Sequence, residues 1–219
     1  MVLVTLVDKR CVDENDKYKP NSTAVNYSKH QKAALVRERT VQDSKQMRIY
    51  HRLSVVAEKK QHVYSLKSEA GYSYDLVSVQ PLNQETFDMA CDAPYLDIIE
   101  VSIDNRLPYR ITKKSVDNAL QRGIVFEFQI SSSFRDSYKR KNLFVAANAL
   151  IPYTRGRNIL LSCNPISPME LKAPHEYVSI ARLMGLPFDK AYAVITKTVE
   201  ECLSHGEKRR ENASGVLIC

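Results

Sequence analysis

The segment Ile124-Val-Phe-Glu-Phe-Gln-Ile130 decides the fold class, because β-branched and aromatic side chains dominate it and favour a buried strand. Helix-length segments lie on both sides of it. Lys113 to Arg122 predicts a helix that ends at Gly123, where glycine can take the left-handed conformation. Ser133, with Asp136 three residues on, gives a capping-box pattern for a long helix to about Ile151. A strand between two helices predicts one unit of a parallel sheet.

The same alternation of strand and helix continues in both directions from this unit. Further strands are predicted at Val2–Val7, Met47–Ala57, Tyr74–Val79, Asp97–Ile103 and Asn158–Ser162. Further helices are predicted at Thr23–Arg39, Gln61–Glu69, Gln84–Cys91, Pro174–Gly185 and Pro187–Gly206. The pattern predicts an α/β fold, a TIM-barrel-like (β/α) barrel with parallel strands, although an open doubly wound sheet has the same composition. Residues 1–206 are expected to form this single domain, with a loop-rich N-terminal part over residues 1–46, and residues 207–219 a C-terminal tail.

Charge is distributed unevenly along the chain, although the net charge is only +7. Residues 1–73 carry fourteen basic and eight acidic side chains, whereas residues 74–134 carry five and nine. Residues 135–157 hold six basic side chains and one acidic one. A second short basic cluster follows Gly206. These clusters favour phosphate contacts, although a charge run on a helix is more often a solvated face.

Apolar side chains in the long helix also have two interpretations. Phe134, Tyr138 and Val145 recur at helical spacing, which predicts that they pack in the core. Phe134, Tyr138 and Tyr153 are alternatively suited to stacking on unpaired bases. Core packing is the prediction.

The sequence does not assemble a catalytic set. The five histidines are isolated and form neither H-x-H nor H-E-x-x-H, and no G-x-S-x-G elbow, P-loop or G-x-G-x-x-G is present. Glu127 alternates with Phe126 and Phe128, so we expect it to point into the barrel and to pair with an arginine there. Neither catalytic nor metal-binding residues are therefore predicted.

Cysteine usage and hydropathy bear on the compartment. The five cysteines are widely spaced and contain no C-x-x-C pair, which argues against a disulfide scaffold. No segment has the roughly 20 apolar residues of a membrane span, and the first residues lack a basic signal-peptide region. We expect a reducing compartment, the cytosol or the nucleus, and no membrane partner.

From about Met47 onward the chain resembles the thirty-kilodalton protein subunit family of eukaryotic and archaeal ribonuclease P. Matching blocks recur in the same order across roughly three-quarters of the chain, and their joint occurrence is more specific than any one of them. They are Tyr74-Asp-Leu-Val-Ser-Val79, Arg122-Gly-Ile-Val-Phe-Glu127, Arg135-Asp136, Asn158-Ile-Leu-Leu-Ser162, Pro174–Leu186 and His205-Gly-Glu-Lys-Arg-Arg210.

The resemblance implies a TIM-barrel-like fold related to the polymerase and histidinol phosphatase phosphoesterases, and a non-catalytic RNA-binding subunit. In that family the RNA removes 5′ leaders from precursor tRNA with bound magnesium, so the protein itself is expected to bind no cofactor. Ribonuclease P RNA, the related ribonuclease MRP RNA and other protein subunits are the implied partners, notably a small RRM-like subunit. Precursor tRNA is an indirect partner, rRNA processing a related role, and the nucleus and nucleolus the implied location.

Candidate RNA-binding residues come from two sources. Arg135, Lys208 and Arg209 lie in blocks that resemble the family, and the others rest mainly on the charge pattern. The full set is Arg135, Lys139, Arg140, Lys141, Arg155, Arg157, Lys208, Arg209 and Arg210. The resemblance implies that the family's first βα unit is missing here, which we expect would leave two unpaired strand edges in a barrel.

Two other functions stay open. A barrel that hydrolyses phosphate esters with a bound metal would need clustered histidine and carboxylate ligands, which the histidine spacing does not supply. A barrel that binds a small metabolite would carry its positive charge incidentally.

Overall fold

The computed structural model describes residues 4–12, 18–20, 49–67, 72–165 and 170–213. Within these ranges the strands form one seven-stranded sheet in the order β2-β1-β3-β4-β5-β6-β7. Neighbouring strands are parallel, except that β2 is antiparallel to β1. The strands are β1 Val4–Val12, β2 Tyr18–Pro20, β3 Ile49–Ala57, β4 Leu76–Pro81, β5 Ile98–Glu100, β6 Val125–Gln129 and β7 Ile159–Ser162.

Helices connect the strands from β3 onward and follow the last one. They are α1 Lys60–Tyr64, α2 Gln84–Asp92, α3 Lys113–Gln121, α4 Ser131–Arg135, α5 Ser137–Thr154, α6 Pro174–Leu183, α7 Phe188–Ala193 and α8 Lys197–Ala213. A 3-10 turn, Ser65–Lys67, extends α1. None of the described helices is long and apolar enough to span a membrane.

The sheet separates a large apolar core from a smaller one. Because side chains alternate along a strand, Val77, Ile99 and Phe126 point to one face, where they pack with the helices of the connections. Leu76 and Val125 point to the other face, where they pack against Cys202 and Leu203 of α8. α8 therefore covers the opposite face of the sheet from the other helices.

The predicted fold class is confirmed. From β1 and β3 through β7 the parallel strands follow chain order, with a helix between successive strands from β3 onward, which is the arrangement of a (β/α) barrel. Among the described residues the sheet ends at β2 and β7, so the barrel is open between these two strands.

Several predicted element boundaries are wrong. β5 covers only Ile98–Glu100 rather than Asp97–Ile103, and the predicted helix Pro187–Gly206 is two helices, α7 and α8. β1 extends to Val12 instead of ending at Val7. The long helix is interrupted at Asp136, whose extended backbone and side-chain bond to the Tyr138 amide begin a separate helix, α5. Gly206 lies inside α8, so the last helix does not end there. The predicted helix Thr23–Arg39 lies outside the described residues.

Candidate nucleic-acid interface

A polar cleft opens at the carboxyl edge of the sheet, where the carboxyl ends of parallel strands meet. The loop after β5 supplies Ser102 and Asp104, the start of α4 supplies Ser131 and Ser132, and the loop after β7 supplies Asn164. These groups surround a volume of about 190 Å³. The volume is smaller than the roughly 300 Å³ and more of a drug-sized site, so the cleft admits only a small group.

Two of the predicted RNA-binding residues, Arg135 and Lys139, lie at the rim of this cleft. The Arg135 guanidinium donates to the Glu170 carboxylate, and the Lys139 ammonium donates to the Asp104 carboxylate. The second pair links the loop after β5 to α5. The Lys139–Asp104 pair is exposed and contributes little to stability, so a phosphate can replace the Asp104 carboxylate at small cost. The Glu170 carboxylate is buried, so the Arg135 pair is less easily replaced.

The next two predicted residues, Arg140 and Lys141, are exposed in the second half of the first turn and the second turn of α5. Neither forms an ion pair with another described residue. Their charges face solvent beside the cleft, where an arginine can grip phosphate through its planar fork. The structure therefore brings Arg135, Lys139, Arg140 and Lys141 together at the carboxyl edge.

Arg155 and Arg157 lie at the opposite edge of the sheet, the amino edge, where the parallel strands begin. The eighteen residues of α5 span about 27 Å and return the chain to the amino end of β7. Arg155 ends the helix with a positive φ of 53° and Arg157 follows it, both exposed. The basic segment that is continuous in sequence is thus divided between two edges.

The block Lys208-Arg209-Arg210 lies on α8, also at the amino edge. Gly206, just before it, faces the Asp75 carbonyl at the start of β4. Lys208 is exposed, and Arg210 forms a half-exposed ion pair with Asp75 at 2.8 Å. Lys208 therefore belongs with Arg155 and Arg157 as an exposed cation of this edge.

The prediction that Arg209 contacts RNA disagrees with its position. Arg209 is only 6 % exposed, and its guanidinium donates to the Asp97 carboxylate and to the backbone carbonyls of Tyr74 and Asp75. Asp97 is fully buried and also bonds the His205 ring at 2.8 Å. Arg209 thus fastens α8 to the sheet and is buried away from the surface where a phosphate would bind.

Several cations at the carboxyl edge were missed because their segment is acidic overall. The loop after β5 and the first turn of α3 display four exposed basic residues, Arg106, Arg110, Lys113 and Lys114. The same segment, residues 74–134, includes three acidic residues, Asp97, Glu100 and Glu127. These three are buried, and their charges are neutralised by buried arginines. Counting charge only at positions expected to be exposed would have revealed this surface.

Buried carboxylates on the inner face of the sheet bind an arginine of the chain. Glu127 is 1 % exposed and accepts hydrogen bonds from both terminal nitrogens of Arg52, one of them at 2.6 Å. This is the pairing with an arginine that the sequence predicted. The Glu100 carboxylate lies 3.6 Å from the same guanidinium, and the Ser78 hydroxyl accepts a hydrogen bond from the Arg52 Nε at 2.9 Å. Burial by itself lowers the pKa of Arg52, but Glu127 and Glu100 raise it above the ordinary value.

This arrangement does not fit the metal centre of a phosphoesterase. Glu100 and Glu127 already surround a cation, and the described residues contain no group of three His, Cys, Asp or Glu side chains that could hold a metal ion. We therefore derive no reaction from a metal at this position.

Three aromatic residues in or next to the basic segment, Phe134, Tyr138 and Tyr153, are exposed, contrary to the prediction of core packing. Phe134 is 36 % exposed and Tyr138 is 53 % exposed at the carboxyl edge, and Tyr153 is exposed near the end of α5. Val145 is exposed as well. α5 packs through its other face, on Leu143, Ala146, Ala147 and Leu150.

Comparison with known proteins identifies the family. The profile of the RNase P subunit p30 family matches residues 6–211. The chain belongs to this family. The match includes both basic edges and the buried Arg52 cluster, so these features lie within the p30 region itself.

Curated relatives of this p30-family chain come from plants, animals and fungi. Protein GAMETOPHYTE DEFECTIVE 1 of Arabidopsis thaliana is 32 % identical over 165 residues, which are 74 % of this chain and 28 % of that protein. Ribonuclease P protein subunit p30 of Mus musculus is 26 % identical over 80 % of this chain and 65 % of its own length. Probable ribonuclease P protein subunit 3 of Schizosaccharomyces pombe is 26 % identical over 78 % and 72 %.

A solved structure shares the fold of this p30-family member. One chain of the cryo-EM structure of archaeal Ribonuclease P with mature tRNA superposes with a TM-score of 0.65, covering 98 % of this chain and 85 % of that one. Sequence identity is 11 %, so this likeness concerns the fold alone. The chain spans less than two-thirds of the length of the first two curated relatives.

Proposed function

We propose that the chain is a non-catalytic RNA-binding subunit of ribonuclease P and of ribonuclease MRP. The observation that carries this proposal is the match to the p30 family over residues 6–211. In this role the partner RNA binds magnesium and removes the 5′ leader of precursor tRNA. A small RRM-like subunit is the proposed protein neighbour, and the nucleus and nucleolus are the proposed location.

The surface charge supports an anionic partner. Arg140 and Lys141 are exposed at the carboxyl edge. Beside them lie Lys139, whose partner Asp104 is exposed, and Arg135, whose partner Glu170 is buried. Arginine and lysine side chains in this setting bind phosphate oxygens and position an RNA without reading its sequence. The carboxyl edge is therefore the proposed main RNA-binding surface.

The alternative function, a metal-dependent phosphoesterase, has weaker support. The buried carboxylates that could act there instead hold Arg52 through two hydrogen bonds and a further contact at 3.6 Å. Stoichiometric zinc or manganese together with phosphatase turnover would revive that alternative.

The test is binding of the full chain to transcribed ribonuclease P RNA over a series of salt concentrations. We expect binding to weaken steeply with salt, because each neutralised phosphate releases counterions. The variant Arg140→Glu/Lys141→Glu should bind at least about tenfold more weakly with a shallower salt slope. Lys197→Glu is a matched control, since Lys197 is an exposed α8 lysine outside the predicted set.

Binding that is insensitive to salt, or a double variant that binds like Lys197→Glu, would contradict the proposed surface.

A further inference from the structure

Two exposed aromatic side chains adjoin the cations at the carboxyl edge. Phe134 lies four residues before Tyr138 in the sequence, and Arg135 lies between them. Exposing an aromatic ring forgoes the burial that normally stabilises it, so an exposed aromatic beside cations suits a ligand with its own flat ring. Bases of single-stranded RNA are such ligands, because they stack on tyrosine or phenylalanine while the backbone meets basic groups.

Tyr138 is the more open of the two rings. The Lys172 ammonium lies 5.1 Å from the centre of the Phe134 ring, so a cation already covers one face of that ring. Tyr138 is 53 % exposed, and its phenol forms no ring contact with another described residue. It also lies in the first turn of α5, directly before Lys139 and Arg140, so a base on its ring would place its phosphates near these cations.

The chemistry of the adjoining cleft favours a base over a phosphate. Phosphate oxygens only accept hydrogen bonds, whereas the cleft is lined by the carboxylates of Glu100 and Asp104 as well as by cations, and the Lys139 and Arg135 cations already pair with carboxylates. The amide of Asn164 and the hydroxyl of Ser132 both donate and accept. Base edges also combine donors and acceptors, and carboxylates accept hydrogen bonds from exocyclic amino groups of bases.

We propose that the carboxyl edge binds unpaired RNA nucleotides, with one base stacked on Tyr138 and a neighbouring base in the cleft. Arg140 and Lys141 then hold the adjoining phosphates. This inference rests on the proposed RNA-binding function and specifies the form of the RNA. A duplex keeps its bases stacked and paired, so it offers neither a free base face nor a free base edge to this site.

The experiment measures fluorescence anisotropy of a labelled single-stranded RNA of about 12 nucleotides, and of a duplex of the same strand, with the full chain. We expect the single strand to bind several-fold more tightly than the duplex. Tyr138→Ala should weaken single-strand binding about tenfold and leave duplex binding nearly unchanged, because only the single strand can stack. Tyr138→Phe should retain single-strand binding, since it keeps the ring.

Tyr192→Ala is the matched control, because Tyr192 is 45 % exposed on α7, away from the cleft. Asn164→Ala should weaken binding of the single strand and spare the duplex. Circular dichroism of each variant checks that the exposed substitutions leave the fold intact.

Equal binding of both RNAs that stays salt-dependent, with no loss in Tyr138→Ala, would overturn the stacking site and leave the RNA-binding surface standing. Tighter binding of the duplex would also overturn the stacking site. Absence of binding to either RNA would reject the proposed function together with the inference.

Discussion

Arg52 illustrates how a single buried residue organises the inner face of the sheet. The next three strands of the sheet after β3, which are β4, β5 and β6, contribute Ser78, Glu100 and Glu127. All three side chains contact the Arg52 guanidinium. A buried charge that is paired and hydrogen-bonded is tolerable, whereas a buried charge without a partner is costly. The sequence predicted that Glu127 pairs with an arginine. It did not indicate which arginine, because Arg52 and Glu127 are 75 positions apart in the sequence and are brought together only by the sheet.

Replacing Glu127 should therefore cost far more than removing a surface ion pair. Glu127→Gln leaves Arg52 with a neutral amide in place of a carboxylate, and we expect the free energy of unfolding to fall by about 3 to 5 kcal/mol. Glu85→Gln removes the exposed pair with Lys60 and should change it by less than about 1 kcal/mol. Urea denaturation followed by circular dichroism measures both. Equal effects of the two substitutions would show that the buried pair does not stabilise the fold.

At the scale of elements, α5 shows what helical periodicity establishes and what it leaves open. The pattern located the helix but assigned the wrong face to the core, because Tyr138 and Val145 were weighted above smaller residues. The buried face carries Ala146 and Ala147, whose small side chains allow the helix to approach the sheet closely. Strand positions were easier to predict, since runs of β-branched and aromatic residues such as Ile124–Ile130 form strands that are buried on both faces.

α8 shows why a glycine was mistaken for the end of a helix. Gly206 has helical backbone, and a Cβ built on it would collide with the Asp75 carbonyl oxygen. Glycine is required there by the close approach of α8 to β4, a tertiary contact that a local pattern does not reveal. The adjoining Arg209 contact to Asp97 was missed for the same reason.

Gly206→Ala should destabilise the protein, even though alanine is the better helix former by about 1 kcal/mol. The added methyl group collides with backbone that cannot move away easily, so we expect a lower thermal midpoint. Glu207→Ala, at the next and exposed position of the same helix, should leave the midpoint nearly unchanged. A thermal midpoint that rises in Gly206→Ala would show that helix propensity outweighs the close approach.

For the whole molecule, folding rearranges the charge that the sequence displays. Segment counting indicated two positive regions separated by an acidic stretch. The structure buries Asp97, Glu100 and Glu127 of that stretch and exposes its cations at the carboxyl edge. It also divides residues 135–157 between the two edges, about 27 Å apart.

Two separated basic edges make a prediction about additivity. If one RNA contacts both edges, Arg140→Glu/Lys141→Glu and Arg155→Glu/Arg157→Glu should lower its binding free energy independently. The quadruple variant should then show the sum of the two losses within about 0.5 kcal/mol, because distant sites rarely couple. Filter binding with transcribed ribonuclease P RNA gives the three values. If Arg155→Glu/Arg157→Glu binds this RNA as tightly as the unchanged chain, Arg155 and Arg157 do not contact the RNA.

The Arg52 cluster determines how the buried carboxylates of the interior are neutralised during folding. A barrel that neutralises its inner carboxylates with a bound ion depends on the concentration of that ion in the compartment where it folds. Here the neutralising charge is a side chain of the same polypeptide, so it is supplied by translation, one for each chain. Chelators and changes in the cellular ion pool therefore leave this part of the interior intact.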